Sequence, residues 1–253
     1  MPHESSPDRN ARIASNLSKI KHKIAIMSGK GGVGKTTIAL NLSALLAKSF
    51  KVGLIDADID CPNVFKFLGI NEKHAFSQER LIPFESNKIK VVSMAGIQKQ
   101  SDQAIIWRGP LIATTLMQFF ELPEWGELDF LIIDLSPGTS DAALTSMQAA
   151  QLDGIIIVSS PQGVSLIDAR KAVNMCKQLN KKVLGLVENF SGEIFGQGAV
   201  ESLAIELQLP FLGRISLSKE LNSIAEKQKL PALEDKKIAK EFETIKENLL
   251  KQI

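Results

Sequence analysis

The pattern with the most specific chemistry is a glycine-rich loop near the N-terminus. It fits G-x-x-x-x-G-K-[ST], follows an apolar run at residues 24–27 and precedes a helical run at residues 37–46. Glycines let successive backbone N–H groups turn toward phosphate oxygens, and the start of the helix adds a partial positive charge. Lys35 would reach the β- and γ-phosphates of a nucleotide, and Thr36 would offer its hydroxyl to Mg²⁺. The predicted nucleotide-binding residues here are Gly29, Lys30, Gly31, Gly32, Val33, Gly34, Lys35, Thr36 and Thr37.

Two acidic segments follow predicted strands. Asp56 and Asp58 come after the apolar run at residues 52–55, and Asp134 ends the run at residues 130–133. The carboxyl ends of parallel strands form the edge at which α/β sheets bind ligands. Mg²⁺ prefers carboxylates and water, and a hydrolytic water needs an acceptor that orients it. We expect Asp134 to hold Mg²⁺ through water. The N–H of Gly138 could sense a γ-phosphate, which would make its loop a switch.

An asparagine follows another predicted strand. The apolar run at residues 183–187 is followed by Glu188 and Asn189. An asparagine can meet the amino group and a ring nitrogen of a base with its two amide atoms. A turn-forming asparagine after a strand is an equally common explanation. The residues by themselves leave both interpretations open.

Predicted strands and predicted helices, which must position these residues, alternate along the chain. Several apolar runs consist of consecutive rather than alternate apolar residues, which is typical of strands covered on both faces of a parallel sheet. Alternation of strands and helices predicts an α/β fold, with a doubly wound, mostly parallel sheet flanked by helices. The predicted strands lie at residues 24–27, 52–55, 91–94, 130–133, 154–158, 183–187 and 211–212.

The predicted organisation is a single domain over residues 21–253, preceded by a flexible tail at residues 1–20 that could contain a short helix. Residues 71–90 are the least regular stretch and are interpreted as an insertion or lid. Ile238, Phe242, Ile245 and Leu249 fall on one face of a terminal helix. Its polar face mixes Glu and Lys, which favours packing on the sheet over binding to a membrane surface.

Composition excludes several classes of protein. The 253 residues carry a formal charge of +2, and aromatic residues are 6% with no tyrosine, so no nucleic-acid partner is expected. The N-terminus lacks a signal-peptide pattern and no apolar run reaches eighteen residues, so no membrane insertion is expected and the default location is cytoplasmic. Two cysteines and three histidines cannot form a disulfide framework or an obvious zinc site.

The loop contains a second lysine, Lys30, which the pattern G-x-x-x-x-G-K-[ST] does not require. Together with Thr37, the loop resembles the deviant Walker A loop of the MinD/ParA/nitrogenase-iron-protein class. The resemblance implies a homodimer around Mg·ATP, in which Lys30 crosses to the phosphates of the partner as an arginine finger does. It also implies that Asp56 lies on the Mg²⁺ side, that Asp58 positions the attacking water and that Asn189 faces adenine. The catalytic residues would then be Lys30, Lys35 and Asp58.

Further segments narrow the resemblance. Residues 107–110, 135–139, 159–171 and 186–191 are similar to blocks of the Mrp-type (ApbC-type) iron–sulfur cluster carrier ATPases, and the likeness covers about residues 20–235. It implies slow, Mg²⁺-dependent hydrolysis of ATP to ADP and phosphate, used as a conformational switch. It also implies iron–sulfur client or scaffold proteins as partners. The tetrad Trp107-Arg108-Gly109-Pro110 has no role that the residues themselves indicate.

The chain departs from that family after Ser191. The family carries a C-x-x-C pair there, whereas Ser191 runs almost directly into the block at residues 194–198. Cys61 and Cys176 are interpreted as structural, so we expect no stable bridging [4Fe–4S] cluster on the isolated protein. Three hypotheses remain: iron–sulfur handling as a divergent carrier or with a partner's cysteines, a non-carrier switch of the MinD/ParA kind that organises a surface or a complex, and a regulatory scaffold that binds nucleotide without useful turnover.

Overall fold

The central element of the molecule is a twisted, mostly parallel sheet. The computed structural model describes residues 6–59, 61–97 and 109–253, and within these ranges the main sheet has eight strands with helices on both faces, which confirms the predicted fold class. The strands are β1 (Ile20–Ser28), β2 (Val52–Ala57), β3 (Phe76–Ser77), β4 (Arg80–Leu81), β5 (Phe84–Ser86), β6 (Ile89–Ser93), β7 (Leu128–Leu135), β8 (Gly154–Ser159), β9 (Val183–Ser191) and β10 (Phe211–Ser216). The helices are α1 (Ser6–Leu17), α2 (Lys35–Leu46), α3 (Val64–Leu68), α4 (Gly109–Glu121), α5 (Asp141–Ala149), α6 (Gly163–Gln178), α7 (Ala199–Glu206), α8 (Lys219–Glu226), α9 (Pro231–Glu234) and α10 (Lys236–Leu250).

The strand order places β1 at the centre of the sheet. The order is β10-β9-β8-β1-β7-β2-β6-β5, and all neighbours are parallel except β5, which runs antiparallel to β6. The chain leaves β1 for α2 and β2, which lies two strands away across β7. It later returns to β8 on the other side of β1. The carboxyl end of β1 is therefore a point where the strand order reverses, which is where α/β sheets bind ligands.

Burial on both faces of the sheet explains the consecutive apolar runs. On β1, Ile24 and Ile26 belong to the core beneath α2 and α10, while Ala25 and Met27 belong to the core beneath α4 and α6. All four are fully buried. A strand between two helical layers has no face left for polar side chains, so alternation disappears from its sequence.

The terminal helix packs on the sheet, as its periodicity predicts. Ile238, Phe242, Ile245 and Leu249 are all buried in the core that they share with α2. The side chain of Asp235 accepts hydrogen bonds from the N–H groups of Lys237 and Ile238, which caps the first turn. The apolar face is therefore fully used within the fold. Within the described residues no helix is long and apolar enough to cross a bilayer.

The N-terminal segment, expected to be a flexible tail that could contain a short helix, contains a helix that packs on the core. From Ser6 the chain forms α1, and its apolar residues Ile13 and Leu17 are buried in the core. Glu121 at the end of α4 pairs with the guanidinium groups of Arg9 at 3.1 Å and Arg12 at 2.5 Å. These contacts are made across more than a hundred residues of chain, so a local reading of a polar segment misses them.

Residues 71–90 are tied into the fold by a buried histidine. β3 and β4 form a small antiparallel pair. His74 Nε2 accepts a hydrogen bond from the backbone N–H of Ser93 at 3.1 Å, and His74 Nδ1 lies 3.3 Å from the carbonyl of Ile82. Burial lowers the pKa of His74. The neutral ring thus links this segment to β6.

Candidate nucleotide site

The glycine-rich loop joins β1 to α2 at the centre of the sheet. Gly34 is the N-cap of α2, with φ of 80°, in the left-handed region that glycine adopts readily. A Cβ atom added at Gly34 would come 2.1 Å from Asn189 Nδ2, and one added at Gly29 would come 2.1 Å from the carbonyl carbon of Asp168. The loop therefore packs so closely on β9 and α6 that neither position could hold a side chain.

The loop forms one wall of an open cleft of about 510 Å³ at the carboxyl edge of the sheet. The opposite walls are the segment after β2 at residues 58–63, here named the first switch segment, and the loop after β7 at residues 136–140, here named the second switch. Its lining comprises Ser28, Gly31, Gly32, Gly34, Lys35, Thr36, Thr37, Asp58, Cys61, Asn63, Phe67, Ser136, Pro137, Ser140 and Phe190. Most of the predicted loop residues thus share one cleft with the predicted water-positioning carboxylate.

Two of the predicted residues, Lys35 and Thr36, donate hydrogen bonds to the carboxylate of a third, Asp134. Lys35 Nζ donates to Asp134 Oδ1 at 2.6 Å, and Thr36 Oγ1 donates to Asp134 Oδ2 at 2.6 Å. Asp134 is fully buried and Lys35 is 6% exposed, so this ion pair is shielded from solvent. The last residues of β7 and the first turn of α2 therefore bring a phosphate-binding cation and two hard oxygen groups together.

Asp56 lies beside this cluster and is fixed by several donors. It is aligned with Asp134 in the register of β2 and β7, and its Oδ2 accepts hydrogen bonds from Ser93 Oγ at 2.9 Å and from the backbone N–H of Val64 at 3.1 Å. Burial, followed by the neighbouring charge of Asp134, raises the pKa of Asp56 to about 7. A divalent cation between the two carboxylates would oppose this rise.

The donor set suits Mg²⁺. A threonine hydroxyl and two carboxylates are the oxygen ligands that Mg²⁺ takes, with the remaining positions filled by water and substrate phosphates. No group of three or more His, Cys, Asp and Glu side chains within the described ranges could hold a metal ion by itself. Thr36, Asp134 and Asp56 would thus hold the ion together with a bound nucleotide, as the sequence predicts.

The first switch segment brings a third carboxylate to the site. Asp58 is half-buried at the cleft wall, and its Oδ1 accepts a hydrogen bond from the backbone N–H of Cys61 at 3.3 Å. This bond is consistent with a carboxylate held in position after the strand end. The intervening Asp60 lies outside the described residues.

One backbone hydrogen bond connects the strand end before the phosphate loop to the second switch, and one side-chain hydrogen bond supports the loop itself. Ser28 Oγ donates to the carbonyl of Lys30 at 2.9 Å, and the N–H of Gly138 donates to the carbonyl of Ser28 at 2.8 Å. The Lys30 side chain is half-buried and is absent from the cleft lining of this chain. The predicted γ-phosphate sensor, Gly138, thus contacts the strand end from which the loop begins.

Asn189 lies beneath the phosphate loop. It is 1% exposed, and its Nδ2 donates to the carbonyl of Val33 at 2.8 Å. In this arrangement the amide nitrogen supports the loop. Contact between this amide and a base would require the hydrogen bond to Val33 to break. The role of Asn189 toward adenine stays a prediction.

Sequence reasoning missed two residues at this site. Ser93 lies at the end of β6 and donates to Asp56, and Phe190 lines the cleft next to Asn189. Serine at a strand end and phenylalanine in an apolar block are common, so neither carries a signal in the sequence. Of the tetrad at residues 107–110, Trp107 and Arg108 lie outside the described residues, and Gly109 begins α4.

The two cysteines lie in different environments. Cys61 is exposed at the cleft, whereas Cys176 is fully buried in α6 with its Sγ 3.9 Å from Met27 Sδ. Burial raises the pKa of the Cys176 thiol to about 11. Where the resembling family carries its C-x-x-C pair, Gly192 and Gly196 exchange backbone hydrogen bonds of 2.9 and 2.8 Å, which closes a short turn.

Comparisons with a family model and with known proteins point to the same family. The family model of the NUBPL iron-transfer P-loop NTPases, of the ParA group, matches residues 19–250. The iron–sulfur cluster carrier protein of Methanocaldococcus jannaschii is 40% identical over 97% of this chain and 89% of its own length. That of Pyrococcus horikoshii is 40% identical over 96% of this chain and 90% of its own length.

Solved structures agree with the fold. A nucleotide-binding protein from Archaeoglobus fulgidus, solved in complex with ADP, is 35% identical with a TM-score of 0.78, and the likeness covers 89% of this chain and 94% of that one. The cell division ATPase MinD of Pyrococcus furiosus is 22% identical with a TM-score of 0.71 over 92% of this chain and 99% of its own, and it shows the fold alone. From the loop, the sheet order and the match over residues 19–250, the chain belongs to the family of NUBPL iron-transfer P-loop NTPases.

Proposed function

We propose that this chain binds Mg·ATP in the cleft and hydrolyses it to ADP and phosphate. The observation that carries the proposal is the convergence of Lys35 Nζ and Thr36 Oγ1 on Asp134, each at 2.6 Å. This convergence supports a site in which the phosphate-binding lysine and the proposed Mg²⁺ ligands lie beside the N-terminus of α2. The ADP complex of the Archaeoglobus fulgidus relative supports nucleotide as the ligand.

The residues then have separate roles in the reaction. A water oxygen attacks the γ-phosphorus, the bond from that phosphorus to the β,γ-bridging oxygen breaks, and ADP leaves. Asp58, on the cleft wall, orients the water, and Lys35 stabilises the charge that develops on the phosphate oxygens. When bound, Mg²⁺ supplies additional positive charge next to the β- and γ-phosphates. Hydrolysis is slow, because the nucleotide serves mainly as a conformational switch.

The complete site requires a second copy of the chain. Lys30 is half-buried and absent from the lining of its own cleft, although it lies in the phosphate loop. In a homodimer around two nucleotides, Lys30 of each protomer would reach the phosphates bound by the other. Gly138 and Asp58 would report the γ-phosphate to the dimer interface through the two switch segments.

The switch serves iron–sulfur cluster handling. Support comes from family membership and from relatives that are iron–sulfur cluster carrier proteins over nearly the whole chain. Because this chain lacks the C-x-x-C pair, the thiolates come from a client or scaffold protein, and a cluster is cargo shared with that partner. A positioning role of the MinD/ParA kind is the second candidate, and the missing cysteine pair favours it.

Phosphate release tests the first part of the proposal. Purified chain should release phosphate from ATP slowly when Mg²⁺ is present, and release should stop with EDTA and in Lys35→Ala. Glu127→Ala, at the opposite end of the sheet, should match the wild type. A chain that neither binds ATP nor releases phosphate would contradict the proposal.

Cluster transfer tests the second part. A reconstituted [4Fe–4S] scaffold and an apo-acceptor are incubated with the chain under anaerobic conditions, with Mg·ATP or with Mg·ADP. Faster acceptor loading with Mg·ATP supports iron–sulfur handling. ATP-dependent co-sedimentation with liposomes or DNA, without any effect on transfer, supports the positioning role instead.

A further inference from the structure

We propose that Phe190 forms an aromatic wall for the base of the bound nucleotide, so that the cleft selects a purine base as well as a triphosphate. The inference rests on the proposed function and adds base specificity to it. Phe190 is half-buried, lines the cleft and has φ of 60°. A bulky residue rarely adopts this left-handed conformation, and such backbone outliers concentrate at ligand sites.

The strained conformation belongs to a β-bulge. In the pairing of β9 with β10, Ile215 is aligned with Asn189 and Ser216 with Ser191, and the register shifts between them. Two steps along β9 therefore correspond to one step along β10, and Phe190 is the extra residue. Bulges re-aim side chains next to functional sites.

The bulge directs two consecutive side chains at the same loop. Neighbouring residues of a regular strand point to opposite faces of a sheet. Here Asn189 donates to the carbonyl of Val33, and a Cβ atom built on Gly34 would come 3.3 Å from Phe190 Cζ. The Phe190 ring is thus placed beside the phosphate loop, at the mouth of the cleft.

Contacts on both sides of Phe190 hold the bulge in place. Ser191 Oγ donates to Glu188 Oε1 at 2.8 Å, and the carbonyl of Ser191 accepts the N–H of Leu217 at 2.9 Å. The carboxylate of Glu188 is fully buried and also accepts the N–H groups of Gly198 and Val200. With Asn189 bonded to the loop, the backbone before and after Phe190 is fixed.

The sheet order places Phe190 at the base end of the nucleotide. The phosphate loop lies over β1. On one side of β1, Asp134 lies in β7 and Asp58 comes directly after β2, and in the proposed function these two residues mark the metal and the γ-phosphate. The part of a nucleotide beyond its phosphates therefore extends to the other side, over β8 and β9, where Phe190 lies.

A second ring extends this wall. Phe195, 37% exposed on the short turn after β9, lies with its ring centroid 6.5 Å from that of Phe190 at an angle of 50°. The two rings form an apolar, π-rich edge beside the phosphate loop. Purines offer a larger face for stacking than pyrimidines do, so such an edge favours a purine base.

Calorimetric binding of three probes to the full chain tests the inference: Mg·ATP, Mg·CTP and magnesium tripolyphosphate, which has no base. The wild type should prefer ATP over CTP. Phe190→Ala should weaken ATP binding about tenfold, the size of one base–aromatic contact, and should leave tripolyphosphate within about twofold. Phe76→Ala, which removes a 56% exposed ring from β3, is the matched control and should change nothing.

Two more variants separate the ring from the backbone. Phe190→Gly removes the ring but suits the left-handed conformation, so it should match Phe190→Ala. Phe190→Trp keeps an aromatic face and should restore ATP affinity to within about threefold of the wild type. Unchanged ATP affinity in Phe190→Ala, or an equal loss of ATP and tripolyphosphate, would overturn the inference alone. A wild type that binds none of the probes would overturn the proposed function as well.

Discussion

Single polar groups in the cleft already have protein partners. Lys35 pairs with Asp134, the N–H of Gly138 donates to Ser28, and Asn189 donates to Val33. In the proposed site, phosphates would contact Lys35 and Gly138, so nucleotide binding would replace these hydrogen bonds with new ones. Breaking a buried ion pair leaves an uncompensated charge, which costs several kcal/mol unless another ion replaces the partner. A bound Mg²⁺ would compensate Asp134, and phosphates would compensate Lys35, so nucleotide and metal should bind together.

Substitution of the two loop lysines should have different effects on ATP binding and hydrolysis. Lys35→Ala removes a phosphate contact within its own chain, so ATP affinity should fall at least about tenfold, equal to about 1.4 kcal/mol. Lys30→Ala should keep most of the ATP affinity and lose hydrolysis, because its contact forms only across the dimer. Calorimetry and phosphate release measure the two properties. Equal losses of affinity in both variants would contradict the role of Lys30 in the partner's site.

Asp58 should matter for the chemical step alone. Asp58→Ala should bind Mg·ATP with affinity near that of the wild type, since the carboxylate orients water rather than phosphate. Phosphate release should fall by about two orders of magnitude, and the ATP-bound dimer should persist in size-exclusion chromatography. Glu127→Ala serves as the control for loss of a carboxylate. Turnover of Asp58→Ala at the wild-type rate would show that another group positions the water.

At the level of elements, α10 shows how burial of the apolar face of an amphipathic helix stabilises the fold. Phe242 is fully buried between the sheet and α2. Phe242→Ala leaves a cavity there and should lower the free energy of unfolding by about 3–5 kcal/mol in urea titrations. Glu247→Ala on the exposed face of the same helix should change it by less than about 0.5 kcal/mol. Similar effects in the two variants would mean that the helix is only loosely attached.

The elements that sequence predicts well are those whose signal is local. The central strands are apolar on consecutive residues because both faces are buried, and the four-residue stripe of α10 marks its packed face. The packing of α1 escapes prediction, because among its described side chains Ile13 and Leu17 are the buried ones and because its anchor, Glu121, lies 109 residues away from Arg12.

The same distinction applies within the site. The phosphate loop and the strand-end acids have fixed spacing, so Lys35, Thr36 and Asp134 can be placed from the sequence. Ser93 reaches Asp56 only because β6 pairs with β2, and the bulge at Phe190 depends on the register of β10. Pairing between distant strands leaves no local pattern, so these residues become visible only in the folded chain.

Across the whole molecule, the fold separates the two cysteines. Cys61 follows β2 at the carboxyl edge of the sheet, beside the nucleotide cleft. Cys176 comes thirteen residues after the start of α6 at Gly163, which corresponds to about 20 Å along the helix away from that edge. It is also fully buried, and burial raises its pKa to about 11. A thiol in this setting remains protonated at neutral pH and is closed to metal ions.

The isolated protein should therefore hold no stable bridging [4Fe–4S] cluster. Such a cluster takes about four thiolates, and a homodimer exposes two, one Cys61 from each chain. The short turn closed by Gly192 and Gly196 supplies none. Anaerobic reconstitution should give iron and sulfide well below one cluster per dimer. In native protein at pH 8, a thiol reagent should modify one cysteine per chain, and Cys61→Ser should abolish that reaction. A stoichiometric cluster that disappears in Cys61→Ser would contradict this and would make Cys61 a ligand in a carrier that assembles its site differently.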